Sequence, residues 1–397
     1  MEIRKIKKEE RLQCSKIAAV AFHSKYDCKV DESEEWPNKY FDQYAAFDDG
    51  GKMMATMHVY QHKIYFDGHI VESAGIAGVA TLPEYRHKRA VRRILELVFE
   101  DMRAKKQYIS QLYPFNYAYY NKFGYEAACE KINLRFPFKI LNERDDIQRN
   151  NRCKLIECGK NADLRKAYEK YASKHNGAYL RDDNMWKDKL TENIYSKMHY
   201  PYVYYNENNE PAGYFLYTRD NGFKIIELCF DTPEDIKGIL GFIKNFSSDF
   251  DSIDIKGIPA DEDFSLMFTN QHDIKRSVFF ESMTCIADVK KTLELMRYPQ
   301  GRGSFSISVV DNFQSFNTGI YHINYNNGLI VDIDQKPLNS SASDIEVSHI
   351  ALAKLVFGTD NLNSGRYKFM DGIKINSNLD TLNKVFIKKK IYLGDFF

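Results

Sequence analysis

The sequence predicts an α+β protein made of three consecutive units, the first two being mixed-sheet units of one design. Three observations lead to this. The run from His69 to Tyr113 reads strand, helix, strand, with the length of a right-handed crossover between parallel strands. The same order returns between Phe223 and Gly257. From Ile286 onward the pattern changes to hairpin strands followed by an amphipathic helix. A chain of 397 residues has room for two or three domains, and 44% hydrophobic residues can fill their cores.

The first unit is expected to span residues 1–142. Its opening residues, from Met1 to Phe22, carry Glu2, Glu9 and Glu10 inside a basic stretch and no small-residue cleavage pattern. They read as a strand and a helix, not a targeting peptide. Met53 to Phe66 and His69 to Leu82 alternate as strands, and the Asp67-Gly68 pair between them favours a tight hairpin. A helix from about Lys88 to Lys105 then leads to a strand from Tyr108 to Tyr113.

The second unit is expected over residues 143–285. Strands read from Tyr200 to Tyr205, Gly213 to Thr218 and Phe223 to Phe230, with turns at Asn206 to Pro211 and at Asp220-Asn221-Gly222. Asp231-Thr232 reads as a cap and Pro233 as a first helical residue, opening a helix to about Phe246. Ser252 to Gly257 closes the unit as a strand. The third unit, residues 286–397, begins with a helix over Asp288 to Pro299. Strands follow from Ser304 to Val310, Thr318 to Tyr325 and Leu329 to Asp334, with Asn326-Asn327-Gly328 as a hairpin turn. The apolar spacing of Asp344 to Phe357 predicts one amphipathic helix stopped by Gly358. The terminal Phe396 and Phe397 are too apolar to hang in water, so the tail is expected to dock.

Composition excludes several functions. A net charge of +1 argues against a general nucleic-acid binder. No apolar run reaches the length of a membrane span, and no membrane partner is expected. Seven cysteines form no CxxC pair, with Cys153 and Cys158 the only close two, which argues against a disulfide framework or structural zinc and fits reduced thiols in a cytoplasm. His58 and His62 share a strand face without a third ligand, so no metal is expected. The 27 Tyr and 27 Phe point to aromatic-rich sheet surface.

Two features carry chemistry. Six of the eight residues from Arg86 to Arg93 are Arg, Lys or His, at the start of the helix whose apolar stripe is Val91, Ile94, Leu95 and Val98. Cations at a helix N-terminus are unfavourable unless an anion sits among them, and the free N–H groups there bind phosphate well. A solvated basic helix start is the alternative. The matching turn of the second unit, Asp231 to Asp235, is acidic and would repel phosphate. The other feature is the tyrosine-rich loop after Tyr113, ending in Phe123-Gly124-Tyr125. One of its tyrosines could move a proton, although each singly reads as well as a packing residue.

The order strand, Pro83-Glu84-Tyr85-Arg86-His87-Lys88-Arg89, helix, strand, tyrosine resembles a GNAT-type N-acetyltransferase. Leu112 to Glu126 (LYPFNYAYYNKFGYE) is more narrowly similar to a segment of the enhanced-intracellular-survival (Eis) acetyltransferase family. Met296-Arg297-Tyr298-Pro299 after Asp288-Val289, and the aromatic C-terminus, also fit it. The resemblance covers nearly the whole chain. It implies two tandem GNAT-like mixed-sheet domains, only the first binding acetyl-CoA, and a sterol-carrier-protein-like C-terminal domain.

The resemblance also implies an acetyl group passed from acetyl-CoA to a primary amine, aminoglycoside-like or lysine-type, small molecule or peptide, by direct attack. Tyr120 falls on the family's general acid, and its base is the main-chain carboxylate of the last residue, here Phe397. The pyrophosphate turn falls on Arg86, His87, Lys88, Arg89, Ala90 and Val91, and the backbone of Val79, Ala80 and Thr81 would hold the pantetheine arm. A trimer-based homo-oligomer, often a hexamer, is implied too. Asp27 and Trp36, in an acidic stretch with Asp31, Glu32, Glu34 and Glu35, and Phe396 in the tail are candidates for the amine-binding mouth; a solvated loop is the plainer reading of the acidic stretch. The chain departs from the family turn where Arg89 replaces glycine and Val91 a small residue. Glycine permits close backbone approach to phosphate, and a side chain at 89 narrows it. Two alternatives follow: a catalytically degenerate GNAT-fold scaffold, or a lipid carrier acting through the third domain.

Overall fold

The computed structural model describes residues 1–25, 38, 40–157, 159–190, 199–219 and 222–396. Asp27, Asp31, Glu32, Glu34, Glu35, Trp36, Cys158, Asp220, Asn221 and Phe397, all named above, lie outside the described residues.

The first sheet contains β1 (Glu2–Lys5), β2 (Phe41–Phe47), β3 (Met53–Phe66), β4 (His69–Thr81), β5 (Ile109–Leu112) and β6 (Glu126–Ala127). Helix α1 (Arg11–Phe22) packs on β3 and β4, α2 (Ala90–Ala104) makes the crossover from β4 to β5, and the short α3 (Tyr117–Asn121) follows. Strands β4 and β5 pair in parallel from Ser73↔Ile109 to Ile76↔Leu112, as the crossover requires. The predicted stripe of α2 is buried with Met54, Met57 and Ile76. Each such side chain contributes roughly 1.5–3 kcal/mol on leaving water.

The second sheet contains β7 (Glu130–Pro137), β8 (Cys153–Leu155), β9 (His199–Tyr205), β10 (Pro211–Thr218), β11 (Phe223–Phe230), β12 (Ser252–Pro259) and β13 (Lys275–Phe280), in the order β13-β7-β12-β11-β10-β9-β8. Helices α4 (Ala162–Ala172), α5 (Asp183–Lys189) and α6 (Pro233–Ile243) belong to this unit. Its aromatic strands pack ring on ring, with Tyr202 stacked on Phe215 at 5.4 Å and Tyr217 on Phe223 at 4.8 Å. Strand β14 (Met283–Ile286) then returns to the first sheet, whose order is β1-β2-β3-β4-β5-β14-β6.

The limits of the sheets do not coincide with the divisions expected at 142 and 285. Strand β7 lies before residue 142 yet pairs with β12, and β14 lies between β5 and β6. Met283 opposes Ala127 in the first sheet and Phe280 opposes Glu130 in the second. One antiparallel ribbon thus runs from sheet to sheet, and no turn signal marks the crossing.

The third sheet has the order β17-β16-β15-β18-β19. Its strands are β15 (Arg302–Val310), β16 (Gly319–Asn326), β17 (Leu329–Lys336), β18 (Ile345–Ser348) and β19 (Ile373–Ile375). Helices α7 (Val289–Leu295), α8 (His349–Phe357) and α9 (Leu379–Val385) accompany it. The single helix expected over 344–357 is wrong at its start: Ile345–Ser348 is strand β18, and α8 starts at His349. Ser348 caps the helix by accepting from the Ala351 N–H, while Ile345 and Val347 alternate inward as a strand requires. Gly358 does end α8, in the left-handed conformation.

The three units share buried contacts. The β3–β4 hairpin tip carries Asp67, which accepts from Lys389 Nζ at 2.6 Å, from the Arg297 N–H at 2.9 Å and from Asn176 Nδ2 at 3.0 Å. Phe66 and Ile64 of that hairpin lie in the same core as Leu352, Val356 and Phe357. The tail docks as expected, but through Ile391, Tyr392, Leu393 and Asp395, which are buried, while Phe396 is 80% exposed.

Candidate functional site

A strand that loses its partner exposes backbone donors and acceptors, and β4 does this at its C-terminal end. Pairing with β5 stops at Ile76, yet β4 continues to Thr81. The β3–β4 register also shifts there, since His58 opposes Ala77 and Thr56 opposes Ala80. The extra residue is taken up at Gly78, whose φ of +56° is a left-handed value that glycine accepts readily.

Beside the parted end lies a cleft of about 1210 Å³. Val79 and Thr81 line one side, and Arg86, His87, Arg89, Ala90 and Val91 another. The structure therefore brings together most of the residues named from the sequence. Ala80 faces the opposite side of the strand, buried with Cys14 and Ile17, so only its backbone is available to the cleft. Lys88 turns away over the Tyr85 ring, 4.9 Å from its centroid.

The basic turn has an unusual backbone. His87 and Arg89 both have left-handed backbones, φ 66° and 61°, on either side of Lys88. Alternation of this kind turns successive N–H groups toward one concavity. Arg89 is the N-cap of α2 and its side chain caps nothing, so the first N–H groups of the helix remain available. Arg86, His87, Lys88 and Arg89 are exposed, and none forms an ion pair with a described residue. In the second unit the corresponding start of α6 is closed: Thr232 and Asp235 form a reciprocal capping box, and Lys170 and Lys174 pair with Asp231.

The tyrosines after β5 separate by their hydroxyls. Tyr113 donates to the Asp395 carbonyl at 2.6 Å, Tyr117 to the Phe280 carbonyl at 2.6 Å, and Tyr125 shares a 2.7 Å bond with Ser110. Tyr120, 3% exposed, has no hydrogen-bond partner for its hydroxyl among the described residues. Burial, with a smaller effect from Tyr119, pushes it well above the usual phenol range. It lies under the cleft wall, its ring 5.5 Å from Phe115 and 5.2 Å from Tyr119, both of which line the cleft.

Sequence reasoning missed Phe115, Tyr119, Lys122 and Phe123 as cleft residues, although all lie in the aromatic loop it singled out. It also missed Arg181, Glu227 and Asp395, whose signal is three-dimensional only. Phe396 sits against Tyr113, ring centroids 4.7 Å apart, outside the cleft lining. Among the described residues no cluster of three metal-ligating side chains occurs. None of the described helices is long and apolar enough to cross a membrane.

Comparison with known proteins gives this geometry a context. Residues 2–128 match an acetyltransferase (GNAT) domain family, residues 177–285 a second acetyltransferase (GNAT) domain family, and residues 289–394 a sterol carrier protein domain family. A probable N-acyltransferase from Enterococcus faecalis superposes with a TM-score of 0.83 at 21% identity, covering 100% of this chain and 99% of that one. A GCN5-related N-acetyltransferase from Anabaena variabilis gives 0.81 at 20% identity, with 100% of both chains covered. Eis1 from Mycobacterium abscessus gives 0.80 at 16% identity, again with 100% of both covered. No curated protein sequence matches the chain. The fold is thus α+β: two GNAT acetyltransferase domains with mixed sheets, then a C-terminal sterol carrier protein domain, and acetyl transfer is the enzyme chemistry such domains carry.

Proposed function

We propose that the chain is an Eis-type N-acetyltransferase that moves an acetyl group from acetyl-CoA to a primary amine, aminoglycoside-like or lysine-type, by direct attack. One observation carries the reading: an unpaired cationic turn at the start of α2 and a bulged, parted strand meet at one cleft, and Tyr120, its hydroxyl without a partner among the described residues, packs behind the Phe115 and Tyr119 rings that line it. Arg86, His87, Arg89 and the first N–H groups of α2 would hold the diphosphate. The unpaired backbone of Val79 to Thr81 would align the pantetheine arm and face the thioester carbonyl. Holding both reactants in line supplies much of the acceleration without a covalent enzyme intermediate.

Tyr120 would protonate the departing thiolate. A phenol is already protonated at neutral pH, the state a donor needs, and such transfers are worth roughly 10²–10⁴ in rate; burial raises Tyr120 further, so the donation is uphill until the site lowers it. The carboxylate of Phe397, next after Phe396, would take the proton from the amine. Asp27, Trp36 and Phe396 would line the amine's entry. Arg89 stands where glycine is usual in the family yet holds a left-handed backbone of the kind glycine adopts readily, which supports a working coenzyme site over the degenerate scaffold. The described cysteines are buried and unpaired, which supports a place in the cytoplasm. A trimer-based homo-oligomer belongs to the same reading.

The test is calorimetric titration with acetyl-CoA, followed by thiol release against aminoglycosides, polyamines and lysine peptides. Saturable binding and release with at least one amine are expected. No binding up to about 1 mM would favour the scaffold.

A further inference from the structure

The two acetyltransferase domains part their central strands at the same place and fill the opening differently. In the first, β4 and β5 separate after Ile76 and Leu112, beside the cleft. In the second, β11 and β12 pair in parallel only from Phe223↔Ile253 to Ile225↔Ile255 and then separate. The bulge in β4 has a counterpart in β11, where the register against β10 shifts between Ile225 and Glu227. Beyond that point the chain's own tail occupies the opening. Tyr392 donates to Glu227 Oε1 at 2.9 Å, and Tyr392 and Gly394 line what remains, a small cleft of about 360 Å³, with Lys256 and Gly257.

The tail is held by charges rather than by apolar packing alone. Arg181, fully enclosed between α4 and α5, donates from Nε to Asp395 Oδ2 at 2.9 Å, approaches Oδ1 at 2.8 Å from Nη2, and bonds Glu227. Its guanidinium lies 3.8 Å from the centroid of Tyr168 and 4.8 Å from that of Trp186. Lys189 closes the quartet, 2.9 Å from Asp395 and 3.1 Å from Glu227. Two cations and two anions balance. Such a buried set adds little stability over apolar side chains of the same volume, but it admits one arrangement of its members. After Asp395 the chain meets the first domain: Tyr113, the residue next after β5, donates to the Asp395 carbonyl at 2.6 Å, and its ring lies tilted against Phe396.

We propose that the second acetyltransferase domain is a socket for the tail: Arg181 and Lys189 hold Asp395, Glu227 on the parted strand β11 holds Tyr392, and together they fix Phe396 at Tyr113, where β4 and β5 separate. Arg181 and Asp395 are then positioning residues of the acyl transfer. This rests on the first domain being the working transferase. It gives the second domain a role that needs no coenzyme, consistent with its closed helix start.

The test uses the full chain, Asp395→Asn, a chain lacking Phe396 and Phe397, and the combination. Thiol release gives kcat and the acceptor KM, calorimetry gives acetyl-CoA affinity, and hydrogen exchange reports residues 390–396. Asp395→Asn is expected to lower kcat by about 10²-fold, the effect of a roughly 1 Å misplacement. It should leave acetyl-CoA affinity unchanged, expose the tail to exchange, and cause no further loss in the shortened chain. Equal losses with and without the last two residues, or unchanged tail protection, would overturn the proposal. Should Asp395→Asn fold poorly, Lys189→Gln, at the socket's more open edge, loosens the same grip and is read the same way. If the unaltered chain acetylates no amine, the functional reading fails, while the exchange data still decide the socket.

Discussion

The imidazole of His349, first residue of α8, stands where a Cβ on Gly124 would have to go. The third domain thus packs directly on the turn that carries Tyr120, and Gly124 itself has φ +87°. Gly124→Ala would meet both a left-handed backbone and the ring. We expect a loss of about 2–4 kcal/mol, read as a lower urea midpoint. A midpoint within experimental error of the parent would show that His349 swings away freely.

Tyr119 and Tyr120, neighbours in the loop whose hydroxyls have no partner among the described residues, can be told apart by kinetics. Tyr119 lines the cleft, whereas Tyr120 lies beneath it with its hydroxyl unbonded. If Tyr120 is the proton donor, Tyr120→Phe lowers kcat by about 10²-fold or more with little change in acetyl-CoA affinity. Tyr119→Phe should cost far less. The reverse ranking would move the acid role to Tyr119.

Arg89 holds a left-handed conformation that costs an ordinary residue roughly 1–2 kcal/mol. Arg89→Ala keeps that backbone demand and removes only the guanidinium. If the charge substitutes for the glycine's close approach, acetyl-CoA affinity falls about tenfold, in line with roughly 1.5–3 kcal/mol for a hydrogen bond to a charged group. Its dependence on salt also becomes shallower. Unchanged affinity by calorimetry would mean that Arg89 points into solvent and the backbone alone holds the phosphates.

Local signals explain what was legible in the sequence. The crossover of the first domain, its basic turn and its tyrosine loop lie within Gly75 to Tyr125, where alternation, helical spacing and charge act over short separations. The same holds for the Asp67-Gly68 hairpin and the stop at Gly358. The exchanged strands were not legible, because β14 finds β5 across some 170 residues and nothing in Met283 to Ile286 names its partner. Strand β18 was hidden because its inward residues, Ile345 and Val347, fall close enough to the helical spacing of α8 to extend it. The tail socket was invisible for a further reason: Arg181, Glu227 and Asp395 are ordinary charged residues in the chain, and only folding buries them together.

Two histidines of β3 set an acid limit on the fold. Burial lowers His58 to about 4, where it stacks on Phe41 at 5.0 Å and bonds Gln43. Burial likewise lowers His62 to about 4, against a smaller opposing pull from Asp395 and Asp182. A histidine near 6.5 in the unfolded chain and near 4 in the fold binds more protons when unfolded, so its neutral burial favours the fold above about pH 6.5. That contribution shrinks as pH falls from about 6.5 toward 4, by an amount of order 1–3 kcal/mol for each group. The carboxylates of Glu227 and Asp395, held below their usual range by Arg181 and Lys189 despite burial, give way only at lower pH. Urea midpoints taken from pH 7.5 to 4.5 should therefore fall, and His58→Gln should flatten part of that slope. A parent protein equally stable at both ends would show that these imidazoles are solvated.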